Sequence, residues 1–231
     1  MSKKILISLI LNIAISVLVF FGSIAIFVGF NFMGSVGRLD AAGFEMYKYF
    51  TIQSNVLAGI TATILIIYEI LFIKGKINKL PNWIYILKLV GTVGVTVTFL
   101  VTAFYLTIVL DSPWYLLYTN SNLIFHGIVP IICVISFIFF ENNRDLQAFS
   151  IFIGISHMIL YCIYYVTNVL VHLENGQASL KYDWYMFAQA GMKYVPIVVV
   201  IMIGFTLGVS FILYLGNKKI GGKKNEESSS N

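Results

Sequence analysis

The run YFTIQSNVLAGITATILIIYEILFI, Tyr49–Ile73, decides the fold. From Phe50 onward it is apolar enough, and long enough, to cross a bilayer as a helix, which takes about 20 residues. Its one charged residue is Glu69. Yet it opens on Thr51, Gln53, Ser54 and Asn55, hydrogen-bonding groups where lipid is expected. Either these cap the helix or they face something polar inside the molecule.

The rest of the chain has the same character. It is 59% hydrophobic and 11% charged, with a mean hydropathy of +0.89. A soluble domain has roughly a quarter of its residues charged, so a soluble globule with a polar coat is excluded. Six apolar runs are read: Ile5–Phe30, Phe50–Ile73, Trp83–Leu110, Ser121–Phe140, Leu146–His172 and Val195–Leu215. The expected fold is all-α, a polytopic membrane protein with one bundle of six transmembrane helices over residues 1–215. Residues 216–231, polar and serine-ended, are expected to form a disordered cytoplasmic tail. The first run exceeds the 7–15 apolar residues of a signal peptide and no A-x-A-like site follows it, so it is kept as a helix. Cys133 and Cys162 fall mid-helix in different runs, with no partner at zinc-ligand spacing. No metal and no cofactor is called for.

Basic residues accumulate on the cytoplasmic side of membrane helices. With the N-terminus inside, Lys3, Lys4, Lys74, Lys76, Lys79, Arg144, Lys218, Lys219, Lys223 and Lys224 are cytoplasmic, against Arg38, Lys48, Lys181 and Lys193 outside. The expected protein is therefore multi-pass in the cell membrane, with both termini cytoplasmic. Its net charge of +5 is that bias and implies no nucleic-acid partner.

Polar residues share helix faces at spacings of three and four. The second run gives Thr51, Asn55, Ala58, Ala62, Leu65 and Glu69. The third gives Lys88, Gly91, Val95, Thr98, Thr102 and Tyr105. The fourth gives Asn122, His126, Pro130 and Cys133, and the fifth His157, Tyr161, Tyr165, Asn168 and His172. In a membrane such seams face the bundle interior. Most of these groups fall in the outer half, with Thr51 and His126 at similar depth. Glu69 and Lys88 form a separate level near the cytoplasmic side and read as a structural ion pair. Thr98 and Thr102 read as packing groups, since hydroxyls also join helices. His157 reads equally as a hydrogen-bonded interior histidine or a pathway group. His126 precedes Pro130 by one turn, and that proline removes a backbone donor and can open the helix. Trp114, Tyr115, Tyr118, Tyr182, Trp184 and Tyr185 read mostly as an interfacial belt.

Three segments carry a resemblance: YFTIQSN (residues 49–55), NSNLIFHGIVPI (residues 120–131) and KYDWYMFAQAG (residues 181–191). With six spans, they resemble the bacterial predicted six-transmembrane proteins. Those are similar to the animal androgen-induced-gene, or androgen-dependent TFPI-regulating protein, family of membrane threonine hydrolases. The resemblance implies hydrolysis of fatty acid esters of hydroxy fatty acids, or similar lipid esters, with Thr51 and His126 as the essential pair. A threonine hydroxyl needs a base to become a nucleophile, and neutral histidine is the usual one. Asn55, Asn122 or Tyr105 would supply oxyanion donors, and Thr102, His157, Tyr161 and Asn168 would line the pocket. Asp111 and Asp183 are the loop carboxylates that could orient His126. Arg38, Lys48 or Lys193 would hold a lipid carboxylate. Membrane lipids or lipid-derived esters are the implied partners. The competing reading is a non-enzymatic membrane protein, carrying solute or protons, or binding a ligand, along a path that includes Glu69, Lys88, His157 and His126. A third is a sensor or partner subunit whose seams only pack.

Overall fold

The computed structural model describes residues 3–33, 42–109, 114–142 and 145–228. Arg38, Asp111 and Arg144 lie outside the described residues, as does the side chain of Trp114. Six helices are long and apolar enough to cross a membrane: α1 (Lys3–Phe27), α2 (Phe50–Ile73), α3 (Asn82–Leu106), α4 (Asn120–Phe140), α5 (Ser150–Val171) and α6 (Val195–Ser228). The protein is a multi-pass membrane protein with an all-α bundle. Large apolar side chains such as Val17, Phe20, Phe152, Leu160 and Val200 point outward, as a lipid-facing surface requires.

The helices alternate in direction. The start of α1 and the Asn217 turn of α6 lie at one end, here called basal, linked through Asn142: Lys4 bonds Asn142 and Asn142 bonds the Asn217 carbonyl. The opposite, distal end holds the starts of α2 and α4. α3 is the central strut. The apolar stretch of α3 is 61% buried, against 22% for that of α6, and α3 touches α2, α4, α5 and α6. Gly91 allows a close backbone approach of α3 to α2, since a Cβ there would lie 3.1 Å from the Ala58 Cα.

The α2 seam is buried throughout: Thr51, Asn55, Ala58, Ala62, Leu65 and Glu69 all face inward. So are Lys88, Gly91, Thr98 and Thr102 of α3. Three π turns widen the helices, at Thr102–Leu106, Ile124–Ile128 and Ser136–Phe140. The second sits directly ahead of Pro130. A proline there has no N–H to offer the His126 carbonyl one turn back, and its ring crowds that carbonyl. The turn opens, with His126 in it. Such single wide turns are frequent at functional sites.

Two boundaries differ from the sequence reading. The last helix does not stop at Leu215 but runs on to Ser228, where a disordered tail was expected. Asn217 belongs to the bundle: it is fully buried and donates to the carbonyls of Phe137 and Glu141 at 2.7 and 3.1 Å. The loop after α5 holds a two-residue hairpin, β1 (Leu173–Glu174) against β2 (Gln177–Ala178). Its turn is Asn175-Gly176, both at positive φ, the pairing that such turns favour.

Candidate functional site

Thr51 is the second residue of α2, so its N–H has no intrahelical carbonyl to bond. The polar groups at this helix start are not side-chain caps of the N-terminus. Ser54 and Asn55 instead bond back to the Thr51 carbonyl, at 3.1 and 2.8 Å. Asn55 also donates to the Phe125 carbonyl at 3.1 Å, joining α2 to the wide turn of α4. That turn sets His126, 1% exposed, against α2. Its Nε2 lies 3.3 Å from the Thr51 hydroxyl. Its Nδ1 lies 3.4 Å from the Leu117 carbonyl. A carbonyl only accepts, so Nδ1 carries the proton and the Nε2 lone pair faces Thr51. The orienting group is thus a backbone carbonyl. Asp183, a carboxylate candidate from the sequence, accepts from Tyr165, Gln189 and the Ala188 N–H and organises its own loop.

Thr51 opens onto a cleft lined by Thr98, Thr102, Tyr105, Tyr161, Tyr165 and Tyr185 with apolar groups of α3, α5 and α6. The inner chamber has a volume of about 60 Å³. It shares Val101, Tyr105, Phe187, Val198 and Met202 with a larger groove of about 510 Å³ that reaches the lipid-facing residues Phe104, Ile201 and Phe205. The opening is therefore lateral, between α3 and α6.

The expected pocket residues divide. Thr102, Tyr105 and Tyr161 line the chamber, while Asn55, Asn122, His157 and Asn168 do not. Asn55 lies behind Thr51, bonded to backbone. Asn122 is half-buried in the first turn of α4. His157 stacks on Phe50, ring centroids 4.9 Å apart, and among the described residues its Nδ1 has no partner. Asn168 donates to the Tyr182 carbonyl, and His172 stacks on Tyr182 at 3.7 Å. The spacing of α5 placed these groups on one face. It did not say that Phe50 and the 181–191 loop would fill the space in front of them.

Tyr185 is the residue that sequence reasoning missed by assigning it to an interfacial belt. Its hydroxyl accepts the Phe50 N–H at 3.0 Å and lies near enough to Thr51 and Tyr161 to interact with both. Burial pushes its phenol up to about 12, so it is a neutral donor at neutral pH. Trp184 donates to Tyr161, which donates to the Lys48 carbonyl. The only hint in the sequence was the density of aromatics in KYDWYMF.

The Glu69–Lys88 ion pair is corrected. Lys88 Nζ lies 3.8 Å from Glu141 Oε1, and no such contact joins it to Glu69 among the described residues. Seam reasoning treated Glu141 as the residue after a span. The π turn at the end of α4, closed by the Glu141 N–H on the Ser136 carbonyl, brings that carboxylate back into the bundle.

Among the described residues no three His, Cys, Asp or Glu side chains converge to hold a metal. No family model, curated protein or solved structure matches the chain.

Proposed function

We propose that the protein is a membrane-embedded hydrolase of lipid esters, with Thr51 as nucleophile and His126 as base. The observation that carries this is the 3.3 Å approach of Nε2 to the Thr51 hydroxyl, with Nδ1 turned to a carbonyl. A working nucleophile and base lie within about 2.6–3.2 Å, somewhat looser without substrate. The apolar lateral cleft supports an amphipathic ester as substrate, its acyl chain lying in the groove between α3 and α6. Esters of fatty acids with hydroxy fatty acids, the class implied by the resemblance, fit that description.

Thr51 Oγ1 attacks the ester carbonyl carbon as its proton passes to His126 Nε2. The tetrahedral oxyanion is held by the Tyr185 hydroxyl and the Thr51 N–H at the start of α2, where the helix dipole also favours negative charge. The C–O bond to the alcohol breaks, and the leaving oxygen takes the proton from Nε2. The acyl-threonine is then cleaved by water, which His126 deprotonates in the same way, releasing the acid and Thr51. With both termini cytoplasmic, as the basic-residue bias implies, the site lies in the outer half of the cell membrane.

The test is labelling of the purified protein in lipid by an active-site-directed fluorophosphonate, beside ester turnover. Labelling and turnover lost in Thr51→Ala and in His126→Ala support the reading. Full turnover in either variant defeats it.

A further inference from the structure

At the basal end, far from the cleft, a second polar cluster joins four helices. Lys88 of α3, Glu69 of α2, Glu141 after α4, and Ser8 and Asn12 of α1 are all 3% exposed or less. Asn12 is the hub. Its Oδ1 accepts from Lys88 at 2.6 Å, and its Nδ2 donates to Glu141 Oε1 at 2.8 Å. Ser136 donates to the same Glu141 oxygen. Glu69 lies near Ser8 and close enough to Glu141 and Lys88 to feel both charges. Among the described residues, Oε2 of Glu69 and Oε2 of Glu141 have no hydrogen-bond partner.

The charges do not balance. Two carboxylates share one ammonium, and among the described residues Lys88 is the one buried lysine or arginine. Lys4, in the first turn of α1 at the same basal end, bonds Asn142. The remaining titratable groups within reach are Tyr85 of α3 and Cys133 of α4, and neither supplies a cation. Tyr68, one residue from Glu69, packs edge-on against Trp83. A second, uncompensated anion in a water-poor interior is strongly disfavoured. Both carboxylates also sit near helix C-termini, where the helix dipole opposes negative charge. Glu141 is the better-solvated anion, with Lys88, Asn12 and Ser136 around it. Glu69 is the one left over.

We propose that this cluster is a proton-binding site in which Glu69 carries one exchangeable proton, reached from the basal end of the bundle. Glu69 is one turn from the end of α2 at Ile73, so the path to water is short. Protonated, the cluster is neutral: Lys88 and Glu141 form the pair and Glu69 is a hydrogen-bond donor. Losing the proton leaves a net negative charge among α1, α2, α3 and α4, so occupancy by a proton is tied to how those four helices pack. The site is independent of the hydrolase reading.

Infrared spectroscopy of the full-length protein in lipid vesicles at neutral pH tests this through the carbonyl stretch of protonated carboxyls. The expected result is a band that shifts in heavy water, disappears in Glu69→Gln and about doubles in Lys88→Met, where two carboxyls must be protonated. Gln has the shape of the protonated acid, so Glu69→Gln decides the matter even if Lys88→Met does not fold. A band that survives Glu69→Gln puts the proton elsewhere, and a band unmoved by prolonged exchange makes it structural. No band at all, with thermal stability rising in sodium but not in a bulky organic cation, would make this a metal-cation site. Each of these three results overturns the proposal.

Discussion

Removing the Lys88 ammonium gives the sharpest test of how the basal end is held. At 3.8 Å from Glu141, Coulomb's law with an effective dielectric near 20 gives an attraction of about 4 kcal/mol. Lys88→Met also ends the 2.6 Å bond to Asn12 and leaves Glu141 buried beside Asn12 and Ser136 without its counter-charge. Breaking one partner of a buried pair costs about 3–5 kcal/mol. Glu141→Gln should also destabilise, because the buried ammonium must then draw its counter-charge from Glu69, without the bonds that Asn12 and Ser136 give Glu141. The double variant Lys88→Met/Glu141→Gln strands neither. Its loss should fall short of the sum of the two singles by about 2–3 kcal/mol, the upper part of the range for residues in contact. Reversible unfolding in mixed micelles, followed by helical circular dichroism, measures all four corners of the cycle. Losses that add within about 0.5 kcal/mol would refute the pair. A coupling of Lys88 to Glu69 larger than to Glu141 would refute the assignment of partners and restore the pairing read from the sequence.

Thr51→Ser should keep part of the ester turnover, since the hydroxyl survives while the methyl that limits its rotamers is lost; turnover no better than in Thr51→Ala would argue against a nucleophilic role. Gly22→Ala should destabilise by about 1–3 kcal/mol, because its Cβ would lie 2.6 Å from the buried Phe125 ring. The displaced ring adjoins His126, so turnover should fall with stability, and an unchanged melting temperature would count against this packing. Tyr185→Phe strands the Phe50 N–H, costing about 1–3 kcal/mol, and should lower kcat more than it raises KM. The phenol at about 12 keeps its proton below that value and loses it only as pH rises through it. An alkaline fall in turnover near pH 9 that vanished in Tyr185→Phe would contradict this. A cysteine placed after Asn217 should resist membrane-impermeant thiol reagents in intact cells; labelling there would reverse the orientation.

The spans and their inward faces were legible because membrane helices have one strong requirement. Each must be apolar where it meets lipid, so polar groups gather on the buried side. Thr51, Asn55 and Glu69 are all buried on α2, as their spacing implied. Counting put Thr51 and His126 only at a similar depth, since both lie within two turns of the start of helices that run the same way; it was the resemblance that paired them. Pairing was less legible. Lys88 could have met any carboxylate at the basal level, and spacing along one helix does not rank partners on two others. The deciding feature was the wide turn at Ser136–Phe140, which has no clear mark in SFIFFENN. The cleft lining was hidden for a related reason. Periodicity places residues on a face but does not say what a loop then lays across it, and Tyr185 and Phe187 come from such a loop.

The polar entry of α2 does not cap the helix with a side chain. Capping would require the hydroxyl or amide to turn toward the first-turn N–H groups. Ser54 and Asn55 turn instead to the Thr51 carbonyl, and the Phe50 N–H is taken by Tyr185. The result is a helix start whose Thr51 hydroxyl is left for His126. If Asn55 serves only to fix that start, Asn55→Asp should be worse than Asn55→Ala. An aspartate loses the Nδ2 that donates to Thr51 and Phe125 and points an anion at two carbonyls, whereas alanine leaves only a small void. The reverse order of stability, measured in the same micelles, would show that Asn55 carries a role its backbone bonds do not account for.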